Sequence, residues 1–280
     1  MDNLITFNRG NKFFTHRQIN SLLFFRDLKK KKINVPSWSI KKPKTNGWLI
    51  KNLRSFGGKG VREIGKNIKI TKFEYYQKII DGEHISIQFY SEDKRMKILS
   101  ICDQSFYKRK NKPYLIESIL SRKLDLKTLK KIQEICNQLM KEYNLNGMNN
   151  LDIVLENTSK IIYVIELNAR PGLSTNFLSK KYKDLYKDNF LKIIEKKNNE
   201  NNFFYGTKII YSNKNIIINK KKFKFIKSLS NSRSYSELPV LNDTIGIHEP
   251  ICLIHSKSKK IEILRENLKK MSYKIYNELN

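Results

Sequence analysis

Three oxygen-bearing side chains lie on two consecutive apolar segments of the sequence, each of which is predicted to be a strand. Asp152 lies in LDIVLE, and Glu166 and Asn168 lie in KIIYVIELN. A carboxylate is costly to bury unless it is paired or bound to a metal, and residues two apart on a strand point to the same face. The two strands therefore predict a cage of oxygen ligands for Mg²⁺ or Mn²⁺, with Arg170 close by to neutralise anionic charge. The alternative is that Asp152 and Glu166 form surface salt bridges at strand ends.

A lysine followed by a glycine-rich loop is the second segment that could carry chemistry. Lys51 ends the apolar run WLIK, and Gly57, Gly58, Lys59 and Gly60 follow shortly after it. Glycines allow backbone N–H groups to approach phosphate oxygens closely, and a lysine on an adjacent strand adds positive charge. The loop is not a Walker loop, because GKG lacks the trailing Lys-Ser or Lys-Thr. The pattern predicts phosphate binding, and the alternative is a hairpin turn with a solvated lysine.

The third segment is FEYYQKIIDGEHISIQF, residues 73–89, which reads as a strand, a turn at Asp81-Gly82 and a returning strand. The end of the first strand exposes backbone groups that can hydrogen-bond an adenine edge, while Ile79 and Ile80 supply an apolar wall. The alternative is an ordinary hairpin that binds no ligand.

The hydrophobic pattern predicts the elements that position these segments. Apolar residues at helical intervals predict helices over 15–32, 125–144 and 177–197, and from about 259 onward. Apolar or alternating runs predict strands at 33–40, 48–51, 67–70, 73–78, 84–90, 151–156, 160–168, 207–211, 216–218 and 251–255. The mixture indicates an α+β protein.

Composition limits the class of protein further. The chain has 280 residues and a formal charge of +30, but the charge is spread along its whole length and does not favour a nucleic-acid arm. Such a charge could still steer an anionic ligand toward a cleft.

Cys102, Cys136 and Cys252 are far apart, which predicts neither disulfides nor a zinc site and favours a reducing compartment. No apolar run is long enough to span a bilayer, so a cytoplasmic protein is expected.

The order and kind of the three segments resemble the ATP-grasp superfamily over about residues 34–175. IELNARPG looks like the Glu-x-Asn-x-Arg-Pro-Gly signature of its carboxylate-amine ligase branch. ELPVLNDTIGIHEPICLIHS is similar to the tail of predicted ATP-grasp ligases, some of them linked to tetrahydromethanopterin or methanofuran one-carbon metabolism. The resemblance implies an α+β ATP-grasp fold with two α/β subdomains and ATP between them. It also implies a remnant of the preceding domain at 1–47, a lid subdomain at 48–80 and a core subdomain with a C-terminal extension at 81–280.

The resemblance also implies roles for individual residues. Lys51 would contact the α- and β-phosphates, and Arg170 would help to orient an acyl phosphate. Either Glu83 or His84 would meet the ribose, and the sequence leaves both open. The remaining implied roles are the outer phosphates for Gly57, Gly58, Lys59 and Gly60, adenine for Gln77, Lys78, Ile79 and Ile80, and magnesium for Asp152, Glu166 and Asn168.

The activity implied by the resemblance is an ATP- and magnesium-dependent ligase that activates a small carboxylate as an acyl phosphate for attack by an amine. The family normally begins with a separate α/β domain that helps to bind substrate, and that domain is expected to be shortened or absent here. One alternative is therefore a non-catalytic or truncated ATP-binding module. A basic nucleic-acid-binding protein is a further alternative, supported only by the net charge.

Overall fold

The computed structural model describes residues 10–55, 57–65, 69–109, 112–182, 190–192 and 202–279. The helices are α1 (Phe13–Ile19), α2 (Leu22–Lys30), α3 (Leu126–Tyr143), α4 (Thr175–Lys181), α5 (Lys220–Ser230) and α6 (Ile261–Leu279). The strands are β1 (Trp38–Ser39), β2 (Trp48–Asn52), β3 (Val61–Glu63), β4 (Glu74–Lys78), β5 (Gly82–Glu92), β6 (Arg95–Arg109), β7 (Lys112–Ser121), β8 (Gly147–Glu156), β9 (Ile162–Asn168), β10 (Phe204–Tyr211), β11 (Ile216–Ile217), β12 (Tyr235–Ser236), β13 (Thr244–Ile245) and β14 (Pro250–Ser258).

The chain divides into two compact units. The first comprises Met1–Ile116, Lys123–Gly172 and Asp184–Asn198, and the second comprises Glu117–Arg122, Leu173–Lys183 and Asn199–Asn280. The segment predicted as a lid, 48–80, lies within the first unit, as do all residues predicted to bind a ligand. The predicted subdivision at residues 47 and 80 stays a prediction.

Antiparallel strands in the order β6-β5-β8-β9 form the central sheet of the first unit. Directly opposed residues on neighbouring strands share a face, and successive residues alternate between faces. One face is apolar, with Ile87 and Leu151 opposite each other and both fully buried. The other face is polar, with Ser86 opposite Asp152. This alternation places the predicted metal ligands on the face away from the apolar core.

Helices α2 and α3 cover the apolar face and form the core of the first unit with it. The side chain of Asp125 caps α3 by accepting a hydrogen bond from Thr128 N–H at 2.9 Å, and Asn144 ends the helix in the left-handed conformation with φ 47°. The helix predicted at 125–144 is thereby confirmed.

The helix predicted at 15–32 is in fact two helices, α1 and α2. The chain breaks at Asn20 and Ser21, where Ser21 adopts an extended conformation and its hydroxyl donates to Gln18 O at 2.7 Å. Serine competes for backbone hydrogen bonds in this way, which a count of apolar positions does not register.

A second sheet of the first unit has the strand order β1-β4-β2-β3. In this sheet Lys51 on β2 lies opposite Tyr75 on β4, and Leu49 lies opposite Gln77. Because β4 pairs in this sheet and β5 pairs in the central one, the hairpin predicted over residues 73–89 is wrong. The chain instead passes between two sheets at Asp81-Gly82.

In the second unit β14 lies between β12 and β10, and β10 also pairs with residues 118–120 of β7, so these strands belong to the same eight-stranded sheet as β6, β5, β8 and β9. Helices α5 and α6 supply Ile226, Leu264 and Leu268 to the core of the second unit. β11 and β13 form a separate two-stranded sheet. The strands predicted at 207–211 and 251–255 and the helix predicted from 259 correspond to β10, β14 and α6.

Two predicted elements lie partly outside the described residues. Within the helix predicted at 177–197, α4 ends at Lys181 and residues 190–192 are helical, whereas 183–189 and 193–197 are not described. Residues 67 and 68 of the strand predicted at 67–70 are likewise not described. In the part of the chain that the structure covers, no helix combines the length and the apolarity needed to cross a membrane.

Candidate nucleotide and metal site

The predicted metal ligands are neighbours across two paired strands. Asp152 on β8 lies directly opposite Glu166 on β9, and Asn150 lies directly opposite Asn168. Directly opposed side chains on one face of an antiparallel pair have Cβ atoms about 4.5–5.5 Å apart. The structure therefore brings together two carboxylates and two amide groups, one amide more than the sequence predicted.

The Asp152 carboxylate is held by two amide donors. Gln104 Nε2 on β6 and Asn150 Nδ2 each donate to Asp152 Oδ1 at 3.0 Å. Asn150 is in turn held by Ser86, whose hydroxyl donates to Asn150 Oδ1 at 2.9 Å. These bonds link three strands of the central sheet and fix the orientation of the carboxylate.

Burial and the charge of Glu166 raise the pKa of Asp152 to about 6, against the lowering effect of its hydrogen-bond donors and of Lys51. Two neighbouring carboxylates in such a place repel each other unless a cation lies between them. Among the described residues no group of three or more His, Cys, Asp or Glu side chains could hold a metal. A cation here would therefore be bound by two carboxylates with amide oxygens, a hard oxygen set that fits Mg²⁺ or Mn²⁺ better than Zn²⁺.

Lys51 is the cation that the chain itself supplies to this carboxylate pair. Burial lowers the pKa of Lys51, and the charges of Glu166 and Asp152 act in the opposite direction. Tyr75, opposite Lys51 in the second sheet, has its pKa raised by burial and by Glu166. Lys51 and Tyr75 are thus opposed residues on one face of the second sheet, and the charge of Glu166 acts on both.

Gln77 lies on the same face, two residues beyond Tyr75. Its side chain is buried, and within the described part of the chain its Nε2 has no hydrogen-bond partner. A buried amide donor without a partner carries a desolvation penalty of about 1–3 kcal/mol. An acceptor atom on a bound ligand would remove this penalty.

The chain beyond Gln77 offers fewer free backbone groups than expected. The N–H of Lys78 donates to Ser37 O at 2.8 Å, and that of Ile79 donates to Gly47 O at 2.9 Å. Lys78 Nζ bonds Asn46 O at 2.8 Å. Among the described residues no backbone carbonyl accepts from the Ile80 N–H, which makes Ile80 the position in this segment where a backbone donor is left for a ligand.

His84 and Glu83 occupy opposite faces of the central sheet. His84 lies opposite Val154, on the face of Asp152, whereas Glu83 lies opposite the core residue Leu155. Burial lowers the pKa of His84, and the charge of Lys51 lowers it further. Of the two residues that the sequence left open, His84 therefore shares the face of the predicted ligands.

The glycine loop contacts the first half of β7. Ile116 N–H donates to Gly57 O at 3.3 Å, and Gly58 has φ 78°, in the left-handed region. A Cβ at Gly58 would overlap the carbonyl oxygen of Tyr114. Tyr114 packs with His84 and Phe106, with ring centroids 5.3 Å and 5.1 Å away. The loop thus contacts Tyr114, whose ring packs on His84, while the Lys59 side chain is exposed and Gly60 packs on Ser55.

Arg170 is exposed at the end of β9. Its Nη2 donates to Asn168 Oδ1 at 3.3 Å, and its backbone N–H donates to Asn168 O at 2.8 Å. An amide oxygen has two lone pairs, so this contact leaves Asn168 able to bind a cation. The guanidinium therefore lies beside Asn168, and its predicted role toward anionic charge stays a prediction.

A family model described as an ATP-grasp domain matches residues 19–174 of the chain. The chain belongs to the ATP-grasp family. The matched segment contains every residue predicted to bind a ligand. The α+β fold expected from the resemblance is confirmed, and a comparison with curated protein sequences found no match.

Solved ATP-grasp structures share this fold at low sequence identity. An L-amino acid ligase from Bacillus licheniformis matches with a TM-score of 0.70 and 15% identity, over 96% of this chain and 73% of that one. N5-carboxyaminoimidazole ribonucleotide synthetase from Thermotoga maritima matches with a TM-score of 0.65 and 13% identity, over 95% and 73%. Biotin carboxylase from Campylobacter jejuni matches with a TM-score of 0.64 and 14% identity, over 97% and 69%. At these identities the likeness concerns the fold alone.

Three residues of this ATP-grasp site were not found from the sequence. Asn150 lies two residues before Asp152 on a predicted strand, so its shared face could have been noticed. Ser86 and Gln104 reach the site only through the pairing of β5 with β8 and β6, and β6 was not predicted. The local sequence does not show which strands from distant parts of the chain will pair.

Proposed function

We propose that this ATP-grasp protein binds ATP with Mg²⁺ or Mn²⁺ and ligates a small carboxylate to an amine through an acyl phosphate. The observation that carries the proposal is the direct pairing of Asp152 with Glu166. The charges of both carboxylates act on the ammonium group of Lys51. Charged groups with shifted pKa values cluster at functional sites, which supports the proposal.

Asp152, Glu166 and Asn168 would hold the metal through oxygen atoms. When bound, Mg²⁺ neutralises the charge of the outer phosphates of ATP and orients them. Lys51 would bind the α- and β-phosphates, and the glycine loop would cover the outer ones. Gln77 Nε2 and Ile80 N–H would bond the adenine edge beside Ile79, because the described residues provide no acceptor for the Gln77 amide and no backbone acceptor for the Ile80 N–H. His84 would meet the ribose, since it shares the face of Asp152 and Glu83 does not.

Positioning and charge stabilisation are the contributions of the protein to the proposed reaction. The substrate carboxylate attacks the γ-phosphorus of ATP, the bond to the bridging oxygen breaks, and ADP leaves. The amine then attacks the acyl carbon, the bond to the phosphate oxygen breaks, phosphate leaves, and the amine loses a proton to solvent. Lys51 and Arg170 would stabilise the anionic charge that develops, and no nucleophilic side chain is required.

The buried cysteines agree with this assignment. Burial raises the pKa values of the Cys102 and Cys252 thiols to about 12, so neither is a ready nucleophile, and all three cysteines are unpaired. Free buried thiols also fit a reducing compartment, and we extend the proposal to the cytoplasm. The expected partners are ATP, a carboxylate and an amine. The name of the Bacillus licheniformis relative, an L-amino acid ligase, supports amino acids as the first substrates to test.

A screen for ADP release tests the proposal. The protein is incubated with ATP, Mg²⁺ and a library of carboxylates, with and without amines, and neutral hydroxylamine is added to trap an acyl phosphate as a hydroxamate. We expect one carboxylate to give ADP and hydroxamate, and Glu166→Gln to abolish both. Glu134→Gln, on the exposed surface of α3, is the matched control and should retain activity.

Two results would reject the ligase. Binding of MgATP without ADP release for any carboxylate would indicate the non-catalytic module. Failure to bind ATP together with salt-sensitive retention of RNA or DNA would indicate a nucleic-acid-binding protein.

A further inference from the structure

The two oxygens of the Asp152 carboxylate are used differently. Oδ1 accepts hydrogen bonds from both Gln104 and Asn150, each at 3.0 Å. A carboxylate oxygen has about two lone-pair sites in its plane, so two N–H donors occupy them. Oδ2 is therefore the Asp152 oxygen available to a cation.

The Asn150 donor cannot readily turn away from Asp152. Its Oδ1 accepts from Ser86, and its side chain is buried with 6% of its surface exposed. Gly172 packs so closely against it that an added Cβ would lie 2.6 Å from Asn150 Oδ1. The amide orientation is thus set by contacts on two sides, independently of any ligand.

Cations differ in how they use a carboxylate. Mg²⁺ requires a near-octahedral shell at about 2.0–2.1 Å, whereas Ca²⁺ takes about 6–8 oxygens at 2.3–2.6 Å and often binds a carboxylate through both oxygens. A carboxylate with one oxygen already saturated suits the first geometry and disfavours the second.

We infer that Gln104 and Asn150 are positioning residues that hold Asp152 as a one-oxygen ligand and thereby select Mg²⁺ or Mn²⁺ over Ca²⁺. The inference rests on the proposed function, because it presumes a cation at Asp152 and Glu166. Gln104 and Asn150 are not among the predicted metal ligands. The property assigned to them is cation selectivity, which does not follow from the fold alone.

The test measures cation binding directly. Free Mn²⁺ is quantified by its electron paramagnetic resonance signal with the wild-type protein and with Gln104→Met, with and without adenosine 5′-(β,γ-imido)triphosphate, and Mg²⁺ and Ca²⁺ are added as competitors. Methionine keeps the length of the side chain but removes the donor. Gln133→Met, on the exposed surface of α3, is the matched control.

We expect Gln104→Met to weaken Mg²⁺ and Mn²⁺ binding by about tenfold, which is the lower end of the affinity loss seen when a hydrogen-bond partner of a metal ligand is removed. Ca²⁺ binding should weaken less or not at all. The preference for Mg²⁺ over Ca²⁺ should therefore fall. Ser86→Ala leaves Asn150 in place but removes its anchor, together with a hydroxyl that also acts on Asp152, so a shift in the same direction is expected.

Equal loss of affinity for all three cations in both variants, or no change in either, would overturn the inference and leave the proposed function intact. Absence of Mn²⁺ binding by the wild-type protein in both nucleotide states would overturn the metal site itself. A shifted preference without ADP formation from any carboxylate would support the inference and reject only the ligase reaction.

Discussion

At the scale of single residues, the carboxylate pair opposes folding when no cation is bound. Asp152 is half-buried opposite Glu166, and its partners are amides and a lysine that is also half-buried. A site arranged for a divalent cation is therefore expected to lower the stability of the metal-free protein.

Asp152→Asn should stabilise the metal-free protein at pH 8 and abolish Mn²⁺ binding. The pKa of Asp152 rises from 3.8 to about 6 on folding, so ionising this group costs up to about 3 kcal/mol more in the folded state. A raised pKa gives stability that is full below pH 3.8 and lost as the pH rises through about 6. The advantage of the variant in urea unfolding, about 1–3 kcal/mol, should therefore be present above pH 6 and shrink toward pH 4.

The control for this experiment is Asp93→Asn, an exposed turn residue with φ 52°, a conformation that asparagine tolerates. It should leave stability nearly unchanged. A variant at Asp152 that is less stable than the wild type at pH 8 would contradict the assigned electrostatic penalty.

Gly172→Ala should loosen the amide network around Asp152. The new Cβ would lie 2.6 Å from Asn150 Oδ1 and 2.9 Å from its Cγ, so Asn150 must move and its bond to Asp152 must lengthen. We expect a loss of about 1–3 kcal/mol in the free energy of unfolding and weaker Mn²⁺ binding. Gly10→Ala, where the Cβ would meet nothing within 4 Å, should change neither property. Unaltered Mn²⁺ affinity in Gly172→Ala would show that the network does not hold the ligand.

At the scale of elements, the paired strands β8 and β9 could be predicted, because both are long apolar runs separated by a short turn. Their register could not be predicted fully. A β-bulge between Asp152 and Ile153 shifts the pairing of β8 with β9. The alternation of apolar and polar residues along β9 therefore does not tell which residue of β8 each one faces.

Helix α5 and the pairing of β4 were not predicted correctly, each for a different physical reason. No element was predicted over KKKFKFIKSLS, yet it forms α5, because Asn219 caps its first turn and Ile226 and Leu229 are buried on one side. Strand β4 was paired with β5 by proximity along the chain, whereas β1 and β2 pair with it instead. Competition between local and distant partners is decided by tertiary packing.

The docking of the glycine loop on β7 can be measured with two neighbouring substitutions. Gly57 and Gly58 both have positive φ, 61° and 78°, so alanine strains the backbone at each position. A Cβ at Gly57 would meet nothing within 4 Å, whereas one at Gly58 would overlap Tyr114 O. Gly57→Ala should destabilise by about 1–2 kcal/mol, the strain alone, and Gly58→Ala by clearly more.

Urea unfolding and the KM for ATP should report the same order. Gly58→Ala should raise KM more than Gly57→Ala, since the loop is displaced as well as strained. Similar stability for the two variants would show that the loop does not rest on β7 in solution.

At the scale of the whole molecule, the protein carries a large net positive charge. The chain has 56 Lys and Arg residues against 26 Asp and Glu, and the excess is distributed along its length. Ion pairs such as Lys31 with Glu142 and Lys208 with Glu117 neutralise a part of it. A positive field of this size attracts any polyanion, so the charge by itself does not identify the ligand.

Salt dependence separates steering of ATP from binding of nucleic acid. The Debye length falls from about 10 Å at 0.1 M ionic strength to about 3 Å at 1 M, which screens the long-range field but affects a buried site less. Raising the salt concentration over this range should therefore lower the association rate of ATP several-fold and change its dissociation rate little, as measured by stopped-flow fluorescence of a labelled ATP analogue. Adenosine, which is neutral, is the control and should show almost no change. If the association rate of ATP were independent of salt while RNA retention fell steeply, the surface charge would belong to nucleic-acid binding and the proposed role in guiding ATP would be wrong.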